Sequence, residues 1–272
     1  MTVGVPFWVK FIAIVLAFGG LVFALPAAVA TALLADGLTA DRSTSQTVPV
    51  APGATVNVEA AAVELTVEGG SPGLVQVEEH DTVRALTRRL AGTTLNQLRT
   101  TVEPSLDGLK VTTSTTSFKA FGGFERRQLT LRVPSDVNVV VDTASGDLRV
   151  SGLRGNLAIT TESGSVRLDD VDVTGTASVH VVSGQIVYRG AIDGGQVDLS
   201  TISGSINVFL PASTNLHYQA STVSGNVSVS NRGPLSGFGH EPNRTASGNL
   251  GSGGPATLAM NAISGNISVH TG

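Results

Sequence analysis

The chain has 272 residues, a formal net charge of −4 and no cysteine. A disulfide framework, a cysteine-built zinc cage and thiol chemistry are thereby excluded, and the lack of a basic block argues against a nucleic-acid surface. Aromatics make up 4% of the residues against 32 glycines, so the core is expected to be aliphatic and turn-rich.

The first element in chain order is apolar. No residue from Phe11 to Ala35 is charged, and the run is long enough to cross a bilayer. Lys10 precedes it, and Asp36 and Asp41 follow it. The positive-inside rule then predicts a single-pass transmembrane helix in the cell membrane, with the N-terminus cytoplasmic and the remainder extracytoplasmic. The same residues admit a cleaved signal peptide. Pro26 interrupts the apolar run and Ala28-Val29-Ala30 matches a small-x-small cleavage site, so cleavage after Ala30 would release a secreted chain. Residues 1–35 are thus expected as anchor or signal, and the polar stretch 36–54 as a tether.

Residues 55–135 read as an irregular β region with a short helix, where the regular architecture starts. Val56, Val58, Val63, Leu65 and Val67 alternate around Ala60-Ala61, which resembles a corner between two strands. Between Asp81 and Ala91, Val83, Leu86 and Leu90 stand at helical spacing, with Arg84, Arg88 and Arg89 elsewhere on the wheel. Gln97–Val102 and Leu109–Thr113 predict a hairpin around Glu103-Pro104-Ser105-Leu106-Asp107-Gly108. Arg126–Val133 leads into regular repeats.

Residues 136–272 carry the strongest signal. A six-residue phrase opening on Ser-Gly starts at Ser145, Ser163, Ser183, Ser203, Ser224 and Ser264. A step near 20 residues marks a solenoid in which each repeat is one coil. The last step is twice that length and reads as two periods with one phrase lost. Before each Ser, apolar residues alternate with polar ones, as in Leu157, Ile159 and Thr161 or Val197, Leu199 and Thr201. After each Gly they alternate again, as in Val166 and Leu168 or Ile206 and Val208. Period-two alternation means strands with one buried and one wet face. Each coil is therefore strand, Ser-Gly corner, strand, loop. Glycine supplies the corner's backbone angles, and stacking places the serines in a ladder. The fold class is all-β: a two-faced β-solenoid of roughly 20-residue coils, preceded by an N-terminal transmembrane helix.

The stretch from Val133-Pro134-Ser135-Asp136 through Asp142-Thr143-Ala144-Ser145-Gly146-Asp147-Leu148 resembles a bacterial presumed-adhesin β-strand-repeat family, a domain of unknown function. Phe209-Leu210-Pro211 before Ser224-Gly225 repeats the phrase. The resemblance spans roughly residues 47–272, and 231–256 departs from it. It implies a cell-surface or membrane-associated β-solenoid and supplies no catalytic residue.

Few residues suggest chemistry. Asp169, Asp170 and Asp172 crowd one loop, and a hard cation wants several oxygen ligands. Their spacing is not that of an EF-hand, so they stand as weak metal candidates beside an ordinary acidic loop. His180 and His217 fall on outward positions with different offsets, which does not favour a metal pair. Phe118, Phe121 and Phe124, with Lys119, Arg126 and Arg127, form an aromatic and basic loop suited to lipid, to glycan or to capping a solenoid end. Arg84, Arg88 and Arg89 could meet anionic headgroups or simply face solvent. Residues 231–255 read as an excursion between coils.

The expected function is a non-catalytic, exported, membrane-tethered module of the adhesin or envelope-binding kind. It needs no cofactor. Its partners are the membrane and a cell-envelope protein or glycan, with no nucleic acid. One alternative is a β-helix polysaccharide lyase or hydrolase, which needs converging acids that the outward columns do not supply. Another is a self-assembling scaffold growing from an open strand edge.

Overall fold

A computed structural model of the chain describes residues 38–105, 107–114, 124–230 and 244–272. It divides into two units. The smaller consists of residues 1–41, 82–97 and 117–125, and the larger of 42–81, 98–116 and 126–272.

Within the smaller unit, helix α1 spans Arg88–Leu95, and Thr87 caps it by accepting a hydrogen bond from the Leu90 amide. This corrects the helix expected over Asp81–Ala91. Strand β4 runs from Leu74 to Arg84 and carries the alternation past Asp81, so the helix starts only after the Thr87 cap. A cap of this kind satisfies one of the amides left without a partner at a helix start. Thr82 donates to Asp41, and the Ala85 amide bonds the Leu38 carbonyl.

The larger unit is built from two ten-stranded sheets. The strands in chain order are β1 (Thr39–Pro49), β2 (Thr55–Ala62), β3 (Glu64–Gly70), β4, β5 (Thr100–Ser105), β6 (Gly108–Thr113) and β7 (Phe124–Pro134). The regular coils follow as β8 (Asn138–Ser145) with β9 (Leu148–Ser151), β10 (Leu157–Ser163) with β11 (Val166–Asp169), β12 (Thr176–Ser183) with β13 (Ile186–Arg189), and β14 (Gln196–Ser203) with β15 (Ile206–Leu210). The last are β16 (Leu216–Ser224), β17 (Val227–Ser230), β18 (Thr245–Leu250), β19 (Ala256–Ser264) and β20 (Ile267–Thr271). One sheet runs β1-β4-β7-β3-β9-β11-β13-β15-β20-β17, and the other β18-β16-β19-β14-β12-β10-β8-β2-β6-β5.

The coils pair in parallel and in register. Leu157 opposes Val139 and Ala177, and Ser163 opposes Ser145 and Ser183. Identical columns therefore stack at about 4.8 Å, the spacing of hydrogen-bonded strands. The inward columns form one aliphatic cluster that includes Val139, Leu148, Ile159, Leu168, Val179, Leu199, Val208, Leu258 and Ile267. Tyr188 is the one large polar-tipped residue in it, and its hydroxyl donates to the Val171 and Ala191 carbonyls.

The glycine of each corner has a second reason to be glycine. Gly184 sits at φ +153°, and a Cβ built there would lie 1.9 Å from the Gly164 carbonyl oxygen of the next coil. Gly164, Gly204 and Gly265 repeat the same approach. Inward threonines just before the corner, Thr143, Thr161 and Thr222, donate to corner carbonyls, which satisfies buried hydroxyls. The corner expected at Ala60-Ala61 lies two residues later: Ala60 opposes Thr143, and Ala62 takes the serine position opposite Ser145.

The order of the last coils differs from the order in sequence. β19 inserts between β14 and β16, and β20 between β15 and β17. No phrase has been lost in the long final step. Instead the chain leaves the outermost coil, adds β18 antiparallel to β16, and returns to the inner side of that coil. The other end mirrors this. β2 is flanked by β6 and β8, so the coil of β6 and β7 lies outside that of β2 and β3 although it follows in sequence. The hairpin expected around residues 103–108 is present as β5 antiparallel to β6.

The transmembrane part of the expected fold class is corrected. α1 has eight residues, and no helix among the described residues is long and apolar enough to cross a membrane. The segment 11–35 on which that expectation rested lies outside the described residues. The single-pass membrane location that depended on it falls with it.

Candidate binding surface and a buried charge network

Some outward columns of the coils present hydroxyls and amides, and others mix them with charged and aliphatic residues such as Asp142, Arg149 and Val140. Asn138, Asn156 and Thr176 form one ladder: Asn138 Oδ1 accepts from the Asn156 amide at 3.2 Å, and Asn156 Oδ1 from the Thr176 amide at 2.8 Å. On the same sheet, Ser178 shares a 2.9 Å hydrogen bond with His180 Nε2, and Ser200 bonds its Nδ1. This hydroxyl–imidazole pair stands on an open sheet face. His217 bonds Asn249 instead, and two strands separate it from the His180 strand.

The other sheet carries a row of mixed chemistry. Asp169, Arg189, Phe209 and His270 occupy one register position on successive strands. Arg189 pairs with Asp169 at 3.0 Å and lies over the Phe209 ring, whose other neighbour, His270, stacks at 5.1 Å. The planar groups thus satisfy one another along the stack. Near the corners, Val182, Ile202, Ile263 and Val223 form an exposed aliphatic row, 46–66% accessible.

The three candidate metal ligands do not converge. Asp169 faces Arg189, Asp172 faces Arg154 at 3.7 Å, and Asp170 occupies a left-handed turn at φ +55°. No group of three or more His, Cys, Asp or Glu among the described residues is placed to hold a metal. Phe118, Lys119 and Phe121 lie outside the described residues, as do 231–243 and the side chain of Phe124. Arg126 is described and pairs with Glu64 at 2.9 Å.

The feature hardest to see in the sequence is buried. On β4 the inward column reads Val75, Val77, Glu79, Asp81, Val83, so two carboxylates enter where the coils carry aliphatics. Arg127, on the inward column of β7, answers them. Its Nη2 donates to Glu79 at 2.6 Å and its Nε to Asp81 at 3.1 Å, while Nη1 bonds the Ser114 carbonyl at 2.6 Å. Arg42 donates to the other Asp81 oxygen at 2.6 Å and to the Leu98 carbonyl at 2.8 Å. Thr100 donates to Glu79 at 2.6 Å. Two acids and two guanidiniums cancel, as a buried cluster must for its desolvation to be offset. Burial raises Glu79, but the hydrogen bonds from Thr100 and Arg127 outweigh it and hold the carboxyl below the ordinary range. Burial and the adjacent Glu79 charge push Asp81 up, against Arg127 and Arg42. The sequence signal was there: the alternation of Val75 and Val77 continues unbroken through Glu79 and Asp81.

Two grooves adjoin this network. One, of about 370 Å³, is lined by residues including Ser43, Thr66, His80, Gln128 and Thr130. The other, of about 570 Å³, is lined by Arg42, Arg99, Thr101, Val102 and others. Thr44 and Glu79 line both.

These features define a two-faced β-solenoid with polar outer columns. Residues 136–270 match the family model Toastrack DUF4097, a domain of unknown function, and the segment they form belongs to that family. No curated protein matches the chain. Among solved structures, a presumed cell adhesion protein from Clostridium sporogenes ATCC 15579 is similar at 14% identity and a TM-score of 0.49, over 85% of this chain and 100% of that one. A presumed adhesin from Bacteroides fragilis NCTC 9343 is similar at 9% identity and a TM-score of 0.42, over 84% and 97%. A presumed lipid binding protein from Parabacteroides distasonis ATCC 8503 follows at 12% and 0.31, over 84% and 96%. Likenesses this distant carry no functional weight.

Proposed function

We propose that the chain is a non-catalytic binding module of the adhesin type, with a cell-envelope protein or glycan as its partner. The observation that supports this most is the in-register stacking of polar positions, the Asn138–Asn156–Thr176 ladder and the Ser145–Ser163–Ser183–Ser203 column. A repeated array of donors and acceptors suits an extended partner, because each stacked coil adds one more set of contacts. The lyase alternative gains no specific support, since Asp169 and Asp172 each already face an arginine.

The test is incubation of the full-length chain with a bacterial envelope preparation. Saturable retention is expected, with no rise over time in soluble sugars or peptides. Time-dependent release of either would overturn the reading.

A further inference from the structure

We propose that the larger unit joins further copies of this chain head to tail, through a stepped joint built into its two ends. The step follows from the strand orders. Outward from the coil of β2 and β3, one sheet adds β7, β4 and β1, while the other adds only β6 and β5. Outward from the coil of β19 and β20, the first sheet adds only β17, while the second adds β16 and β18. Each sheet thus runs one strand past the other, at opposite ends. Among the described strands, β1 has no counterpart in the facing sheet, and neither has β18.

Side-chain exposure follows the same step. Thr44 and Gln46 lie on the inward column of β1, between Arg42 and Val48, yet both are exposed. A groove of about 570 Å³ occupies the place beside β5 and under β1, lined by residues including Thr44, Gln46, Leu98, Thr101 and Val102. Among the described residues, the half-buried apolar side chains packed on the core are Val48, Val50 and Val102 at this end and Tyr218, Val227 and Val229 at the other. The aliphatic core therefore reaches both steps.

One step is the complement of the other. Set head to tail, the β18 of one copy fills the place under the next copy's β1 and borders its β5, while β17 borders β1. β5 and β18 have six residues each. Each runs antiparallel to the coil strand beside it, so in the joint the two run the same way and form a parallel ladder like those of the coils. Strand addition from another chain satisfies the backbone groups of an open edge. Because the two joined surfaces differ, the contact is heterologous and repeats from copy to copy.

The experiment is cross-linking of full-length single-cysteine variants, in mild detergent, with a short bismaleimide. The chain has no cysteine of its own to interfere. Thr101→Cys and Ser247→Cys stand at exposed positions of β5 and β18. Mixed together, they should cross-link across the joint, where neighbouring strands lie about 4.8 Å apart. A chain carrying both should give a ladder of multimers. Adding Gln46→Lys to the Thr101→Cys chain should abolish the cross-link by placing an unpaired charge under β1, with thermal melts establishing that this variant is folded. Thr160→Cys, exposed in the middle of the same sheet, should not cross-link to Thr101→Cys. No cross-link between positions 101 and 247, an equal one between 101 and 160, or one that survives Gln46→Lys would overturn the joint. Cross-linking of Thr101→Cys chains only to each other would show like ends paired and would overturn the head-to-tail order. Envelope retention is a separate readout, so the binding-module reading does not depend on this result.

Discussion

At the scale of single residues, the stacked glycines and the buried charges set the sharpest constraints. Gly184→Ala would drive a methyl into the Gly164 carbonyl and hold alanine at φ +153°. A loss of about 2–4 kcal/mol is expected from denaturant melts. Gly92→Ala, in α1 with open space around its missing Cβ, should instead gain about 0.5–1 kcal/mol. Equal effects at the two positions would contradict the corner geometry. Glu79→Gln removes a partner of buried Arg127, and at neutral pH a cost of about 3–5 kcal/mol is expected. The folded pKa of Glu79 is depressed, so its contribution is present above the unfolded value and is lost as pH falls through the folded one. The gap between the unaltered chain and Glu79→Gln should therefore close below the ordinary carboxylate range. Asp81 is pushed up partly by the Glu79 charge, so the variant also relieves Asp81, and the pH dependence of the gap reports the two carboxyls as a coupled pair. A gap that stays constant with pH would exclude an ionised Glu79 in the network.

At the scale of elements, the strands were legible and some of their boundaries were not. Every coil alternates with period two, so Leu157, Ile159, Val166 and Leu168 announce which face is buried, and they are buried. The end of β4 was misread because Val83, Leu86 and Leu90 also satisfy a helical spacing, and because Asp81 at an inward position looks like a solvated charge. Its partners Arg127 and Arg42, 46 and 39 residues away in sequence, make the inward placement tolerable, and local pattern does not carry such pairings. Thr87 is what separates strand from helix. Thr87→Ala should destabilise α1 by about 1 kcal/mol, read as faster amide exchange at Leu90 and Ala91. Unchanged exchange there would mean that the cap does not hold the helix start.

At the scale of the whole larger unit, stability comes from one continuous aliphatic column closed at both ends by chain that doubles back. An exposed strand edge invites pairing with another chain. At both ends of one sheet an antiparallel strand, β5 or β18, covers the outermost parallel strand, and the last strand of the chain, β20, is interior rather than at an edge. The sequence could not reveal this order, because the inward columns of neighbouring coils are chemically interchangeable. Met260 opposes Leu199 and Ala220 opposes Met260, but either pairing with Leu199 satisfies the same period-two alternation. The buried network was hidden for the related reason that β1, β4 and β7 meet across long stretches of chain.

The coil order is the claim on which the rest depends, and cysteine pairing tests it most directly because the chain has no cysteine of its own. Ser200 opposes Asn261 in register, whereas Ser221 lies one strand further out, opposite Asn261. Under mild oxidation the Ser200→Cys/Asn261→Cys variant should form an intramolecular disulfide while folded, since in-register neighbours fall within bridging distance. The Ser200→Cys/Ser221→Cys variant should not. Rapid bridging of positions 200 and 221, with none between 200 and 261, would show coils stacked in simple sequence order and would contradict the account.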